Sequence, residues 1–179
     1  MKYAICNETF GDWPWTQGLS LARSIGYTGL EVAPFTLGVD AHEIPPQLRR
    51  DYRTAVSDHG MEIIGLHWLL AKTQGYHLTT EDQSIRQKTS DYLKKLVDLC
   101  VDLGGQLMVL GSPLQRNFPP SMSHRQAMLN AMETLQPVIP HLEKNQVRIA
   151  LEPLGPAEGN FLNHASQARE MIAMLDSPY

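Results

Sequence analysis

Apolar residues in this chain fall into five short, nearly continuous runs, separated by longer stretches with helical spacing. The runs predict strands at about 2–7, 28–33, 62–67, 106–111 and 147–152. Gly26 precedes the second, Gly60 the third, Gly104-Gly105 the fourth and Asn145 the fifth. Gly and Asn tolerate the left-handed conformation that ends a helix, so each marks a helix C-terminus just before a strand. Strands apolar at consecutive positions are those buried on both faces, as in a parallel sheet.

The intervening stretches read as helices. The first covers 16–25. The second opens at Pro45-Pro46, where the missing N–H costs nothing, and runs to about 59. In the third, Thr80 and Gln83 have capping-box spacing, and Ile85, Tyr92, Leu93, Leu96, Leu99, Cys100 and Leu103 form one apolar stripe. The fourth starts at Ser121 or Ser123, with Pro137 and Pro140 kinking or dividing it. Asn163 is the expected cap of the fifth, whose inward residues are Ala165, Ala168, Met171, Ile172 and Leu175. Five β/α units in succession imply a parallel sheet with helices outside it and right-handed connections. That leaves a doubly wound open sheet or a barrel. Asn7-Glu8-Thr9-Phe10-Gly11-Asp12 follows the first strand where a dinucleotide-binding fold would carry a glycine-rich phosphate loop, which favours the barrel.

Polar residues recur where the strands run out: Asn7 and Glu8, Glu31, His67-Trp68, Gly111-Ser112, and Glu152. In a barrel these ends meet at one face, where active sites form. Glu152, between an apolar run and Pro153, is expected to be partly desolvated at the barrel mouth. It suits metal ligation or proton transfer, or caps a backbone amide. His67 is a ligand, a substrate hydrogen-bond donor or a core imidazole. Glu31 either orients a neighbour such as His67 or pairs with a cation. Trp13 and Trp15 either wall a sugar pocket or seal the barrel top. Arg116 is a candidate for holding phosphate or carboxylate, against the plainer reading of a solvated loop arginine.

Composition narrows the classes. With 179 residues, 42% hydrophobic, the chain can bury a core as one domain, and disorder is excluded. The net charge of −4 is spread along the chain, so neither nucleic acid nor an anionic membrane is an expected partner. No apolar stretch approaches the roughly 20 residues of a membrane span, and the N-terminal segment lacks a signal-peptide core. Cys6 and Cys100 read as reduced thiols, fitting a cytoplasmic protein.

Three motifs carry a resemblance across the whole chain: Gly29-Leu30-Glu31-Val32, Gly65-Leu66-His67-Trp68 and, best, Ile149-Ala150-Leu151-Glu152-Pro153-Leu154. In order and at this spacing, the chain resembles the xylose isomerase-like TIM-barrel superfamily of sugar (phosphate) isomerases and epimerases, which includes the ketose 3-epimerases. The resemblance implies an α/β fold of (β/α)8 type, with residues 1–179 forming a single partial barrel that stops after the fifth helix. It implies a divalent metal, manganese foremost, with magnesium, cobalt or zinc as alternatives. Glu152 matches the first metal-binding Glu, which also moves the substrate proton; the remaining ligands are expected beyond Tyr179. Glu158 is similar to a residue touching substrate hydroxyls, although Gly155-Pro156-Ala157 departs from the common loop. Asn7, Trp15, His67 and Arg116 are further candidates for substrate contact, with Glu31 supporting them. A whole barrel typically takes about 250 residues, so the natural protein is expected to carry about three more β/α units. The implied partner is a small sugar or sugar phosphate, with self-association left open. Competing readings are a zinc phosphodiesterase of the abasic-site endonuclease type, a keto-inositol dehydratase, and a non-catalytic half-barrel. The first lacks a second His after strand four and has an acidic balance.

Overall fold

The computed structural model describes residues 1–38 and 40–179. Five strands, β1 (Ala4–Cys6), β2 (Gly29–Val32), β3 (Glu62–Leu66), β4 (Leu107–Leu110) and β5 (Arg148–Leu151), alternate with α1 (Trp15–Ser24), α2 (Pro46–Asp58), α3 (Gln83–Leu103), α4 (His124–Leu135), α5 (Ile139–Asn145) and α6 (Ala165–Leu175). Each strand is slightly shorter than its apolar run. The ladder ends where the chain turns; Asn7, for example, already opens a 3-10 turn, Asn7–Phe10.

All four pairings are parallel and the spatial order is β1-β2-β3-β4-β5. That order decides between the two architectures. Right-handed crossovers that always step in the same direction put every helix on one face, and the strand twist then curls the sheet toward a barrel. A doubly wound sheet would reverse direction at a switch point, and this one does not. On the far side of β5 from β4, the Ile149 N–H donates to the Tyr179 carbonyl at 3.2 Å, so the last residue already lies along that edge.

The core lies between sheet and helices. Leu30, Val32, Leu66, Met108 and Leu110 point outward and are at most 1% exposed, packed with the buried stripe of α3. The inward positions Glu31, Leu107 and Val109 are only half-buried, which corrects the expectation of strands buried on both faces. Five strands do not close, and the inner face has no opposite wall among the described residues.

Helix boundaries depart from the sequence reading at three caps. Asp82, rather than a Thr80/Gln83 box, caps α3: its carboxylate accepts from Ser84 N–H at 2.8 Å and Ile85 N–H at 3.3 Å. Asn163 does not cap α6; His164 holds that position, and the Gln167 amide oxygen accepts from the backbone of both residues. On α6, Ala168 and Met171 are buried, but Ala165 and Ile172 are exposed, for lack of a neighbour on that flank. The left-handed residue after α5 is Gln146 (φ 56°), while Asn145 completes the helix. Pro137 and Pro140 divide the fourth helical stretch, as expected, through a 3-10 turn, Gln136–Val138.

One half-buried imidazole gives this fold a pH dependence. Burial lowers the pKa of His77 below its ordinary 6.5, and its Nδ1 accepts from the Thr79 N–H at 3.3 Å, a role only the neutral ring can fill. The unfolded chain binds a proton near pH 6.5 that the folded chain resists. The His77 contribution is therefore complete above about pH 6.5 and lost as pH falls below it. Urea midpoints measured at pH 7.5 and pH 5.5 should drop at the lower pH, and His77→Gln should shrink that drop.

Candidate active site

The register of β1 on β2 makes Cys6 and Glu31 direct partners. Both point to the inner face. A register shift between Leu30 and Glu31, opposite Gly65, then brings β3 close enough for His67, one residue past its end, to join them. Cys6 Sγ lies 3.5 Å from Glu31 Oε2 and 3.7 Å from His67 Nδ1. His67 is buried, at 7% exposed. Its Nε2 is 2.7 Å from Glu8 Oε2. The carboxylate that orients His67 is thus Glu8, from the 3-10 turn after β1, and not Glu31 as the sequence suggested. Glu31 has no basic partner among the described residues. Burial, then the charges of Glu8 and Glu31, push the Cys6 thiol up to about 12.

Glu152 follows β5, and its N–H donates to the Leu110 carbonyl at 3.3 Å. Its carboxylate lies against the Cα of Gly111, where a side chain would overlap it, and its charge reaches Cys6. It therefore faces the same inner cleft. It is exposed, not partly desolvated, because no strand lies beside it on the outer side. Glu158, also exposed, folds back to accept from the Gly155 N–H at 3.0 Å.

Arg116 is a larger correction. It is 2% exposed rather than solvated. One terminal nitrogen donates to the Leu110 carbonyl at 3.2 Å; the other has no hydrogen-bond partner among the described residues. Burial lowers its pKa, and the charges of Glu152 and Glu158 oppose that shift. A buried cation beside two carboxylates is a fixed source of positive potential at the strand ends, and is not placed to reach into solvent for a phosphate.

Asn7 and Trp15 are placed away from the Glu152 side. The Asn7 amide donates to Thr36 Oγ1 at 2.7 Å and Tyr52 Oη at 3.1 Å and accepts from the Ala33 N–H at 2.8 Å. With both donors and the acceptor taken by protein groups, it braces the β1, β2 and α2 junction instead of facing a ligand. Asn7→Ala should cost about 2–3 kcal/mol by orphaning buried partners; an unchanged urea midpoint would contradict this bracing role. Trp15 packs edge-on against Tyr52, ring centroids 4.6 Å apart. Trp13 stacks near Phe10 at 6.3 Å. Both stay substantially exposed on the α1 side, Trp13 at 48% and Trp15 at 37%.

The main opening over the strand ends is a cleft of about 900 Å³ bordered by Glu8, Phe35, Trp68, Lys72 and Gln115. Sequence reasoning named Trp68 but gave it no role. It is 46% exposed with φ 55°, a conformation that costs a bulky residue energy and is tolerated where the site demands it. Lys72 sits 4.2 Å above the Phe35 ring on the same wall. Only the position of Trp68 after a strand-end His hinted at this wall. Ser112 is buried, and its hydroxyl accepts from the Leu70 N–H at 3.0 Å, holding the loop after β3 to the end of β4.

Comparison with known proteins agrees with this geometry. Fructoselysine 3-epimerase of Shigella flexneri is 23% identical over 164 residues, covering 88% of this chain and 55% of that protein. Among solved structures, D-psicose 3-epimerase from Clostridium cellulolyticum H10, crystallised with D-tagatose, superposes with a TM-score of 0.81 at 15% identity, covering 98% of this chain and 60% of that one. L-ribulose 3-epimerase superposes with a TM-score of 0.79 at 16% identity, covering 99% and 58%. The chain spans about half the length of the curated relatives it matches. The family described as xylose isomerase-like TIM barrel matches residues 19–179, nearly the whole chain. With the sequential parallel sheet and the strand-end carboxylates in place, the chain belongs to the xylose isomerase-like TIM barrel family.

Proposed function

We propose that the whole protein is a divalent-metal-dependent epimerase or isomerase of a ketose or its phosphate, moving a proton next to the carbonyl through an enediolate. The observation that carries this reading is Glu152. It is an exposed carboxylate at the C-terminal end of β5, facing the inner cleft beside Gly111 and within electrostatic reach of a buried Arg116. Relatives named as 3-epimerases support it.

The donors facing the cleft fit a hard divalent cation. Glu152 and Glu158 offer carboxylate oxygens, the donor type that suits manganese or magnesium. Of these, Glu152 is assigned to hold the metal. When bound, the metal supplies Lewis-acid polarisation of the carbonyl and steadies the negative charge of the enediolate. Glu152 takes the C–H proton on its face of the sugar. Its exposure leaves it free to reach substrate. Glu158 is assigned to a substrate hydroxyl and exchanges its bond to Gly155 for it. His67 and its Glu8 partner border the bound sugar. Asn7 and Trp15 act by holding the β1 turn in place. Epimerisation returns a proton to the opposite face, which calls for a second carboxylate facing Glu152.

The test is solvent exchange. Incubated in D2O with manganese and a panel of ketoses and ketose phosphates, the complete protein should introduce one deuterium next to the carbonyl and generate the epimer or aldose, and a chelator should stop both. Absence of exchange across the panel would overturn the reading.

A further inference from the structure

Cys6, Glu31 and His67 take no part in the proton transfer just described, and their geometry is that of a ligand set. We propose that they form a separate binding site for a borderline-soft divalent ion, zinc foremost, at the ends of β1, β2 and β3. Thiolate, imidazole and carboxylate donors bind zinc at about 2.0–2.3 Å, so the edges of a tetrahedron around it measure roughly 3.5 Å. The Sγ–Oε2 and Sγ–Nδ1 separations are 3.5 Å and 3.7 Å, and all three ligand atoms fall within 4.8 Å of one another. Two of the three edges already match, and closing around an ion requires the third, Glu31 to His67, to shorten.

A second observation points the same way. Glu8 Oε2 sits 2.7 Å from His67 Nε2. A carboxylate there takes the Nε2–H hydrogen bond and leaves the Nδ1 lone pair facing Cys6. Metal-bound histidines are held in just this manner by a carboxylate on the far ring nitrogen. A core imidazole would need no such orientation toward a thiol. Coordination releases the thiol proton to solvent and changes no oxidation state. Three protein ligands leave a fourth position, and Cys6 and Glu31 are only part-buried. The sulfur donor separates this site from the oxygen-rich one assigned to Glu152, because thiolate favours zinc or cobalt over manganese and magnesium.

Cobalt(II) is the probe, because a cobalt–thiolate bond gives a charge-transfer band in the near ultraviolet that oxygen and nitrogen ligands do not. Titrated into the 179-residue chain, cobalt should produce this band at one equivalent, and zinc should erase it by displacement. Cys6→Ser should abolish the band. Cys100→Ala should retain it, since Cys100 is fully buried with its Sγ at the Leu107 carbonyl. Glu152→Ala should also retain it. Glu8→Gln should weaken zinc binding roughly 10- to 100-fold. Circular dichroism establishes that each variant is folded, and the folded wild-type chain is decisive by itself. No thiolate band in it overturns the proposal. So does a band that survives Cys6→Ser, or one lost in Glu152→Ala, which would mean a single shared site. Failure of the ketose exchange test would leave this result unchanged, because the cobalt spectrum requires no activity.

Discussion

Glu152→Gln in the complete protein should reduce solvent exchange at the substrate C–H by about a thousandfold or more while leaving the fold intact. A positioned general base contributes roughly 10²–10⁴-fold, and this substitution also removes a charged metal ligand. The thermal midpoint should barely change, because Glu152 is exposed and surface substitutions typically stay within about 0.5 kcal/mol. The split between lost turnover and kept stability is what tests the assignment. A carboxylate that merely capped a backbone amide would show the reverse pattern. Gly111→Ala gives an independent check. Its new methyl would fall on the Glu152 carboxylate, which is the far end of a flexible side chain and can move aside. The fold should tolerate this, while a carboxylate displaced by about 1 Å should cost on the order of 10²-fold in rate. Normal exchange in either variant would remove Glu152 from the chemistry.

The period of the hydrophobic pattern made the fold legible. Five apolar runs and the helices between them follow from burial alone, and the sequential strand order completes the barrel argument. The positions of Glu31, His67 and Glu152 were also legible, because strand ends can be counted from the runs. Their environments were not. Burial of Arg116 depends on how the Gly111–Asn117 loop is tied to Leu78 and Thr79, which donate to the Gln115 and Arg116 carbonyls, a tertiary property that no local pattern encodes. The pairing of His67 with Glu8 rather than Glu31 turns on the 3-10 turn after β1, which the sequence marks only as the segment following the strand. Asn7 was read as facing substrate because it sits at a strand end. Its three partners come from positions 26 to 45 residues away, and only the folded register brings them together. The α3 cap failed for a local reason: Asp82 competes with Thr80 for the same amides and, as an acceptor carrying charge, wins.

The same register argument yields the largest expected loss of stability. Gly65 stands where β3 crosses closest to β4, paired with Leu107 beside the shift at Glu31. A methyl there would coincide with the Leu107 carbonyl oxygen and lie 2.6 Å from the carbonyl carbon. Unlike the carboxylate beside Gly111, this neighbour is backbone inside a ladder and cannot rotate away. Gly65→Ala must therefore push the two strands apart and break pairing in the middle of the sheet. The expected cost is about 3 kcal/mol, the upper end of overpacking penalties, against about 1 kcal/mol for the control Ile63→Val two residues earlier on the same strand. Urea denaturation of the two variants measures the difference. Because His67 hangs from the end of β3, a Gly65→Ala chain that still folds should also show a weakened cobalt–thiolate band. A variant as stable as wild type would mean that the close crossing of β3 and β4 is not what fixes the inner face.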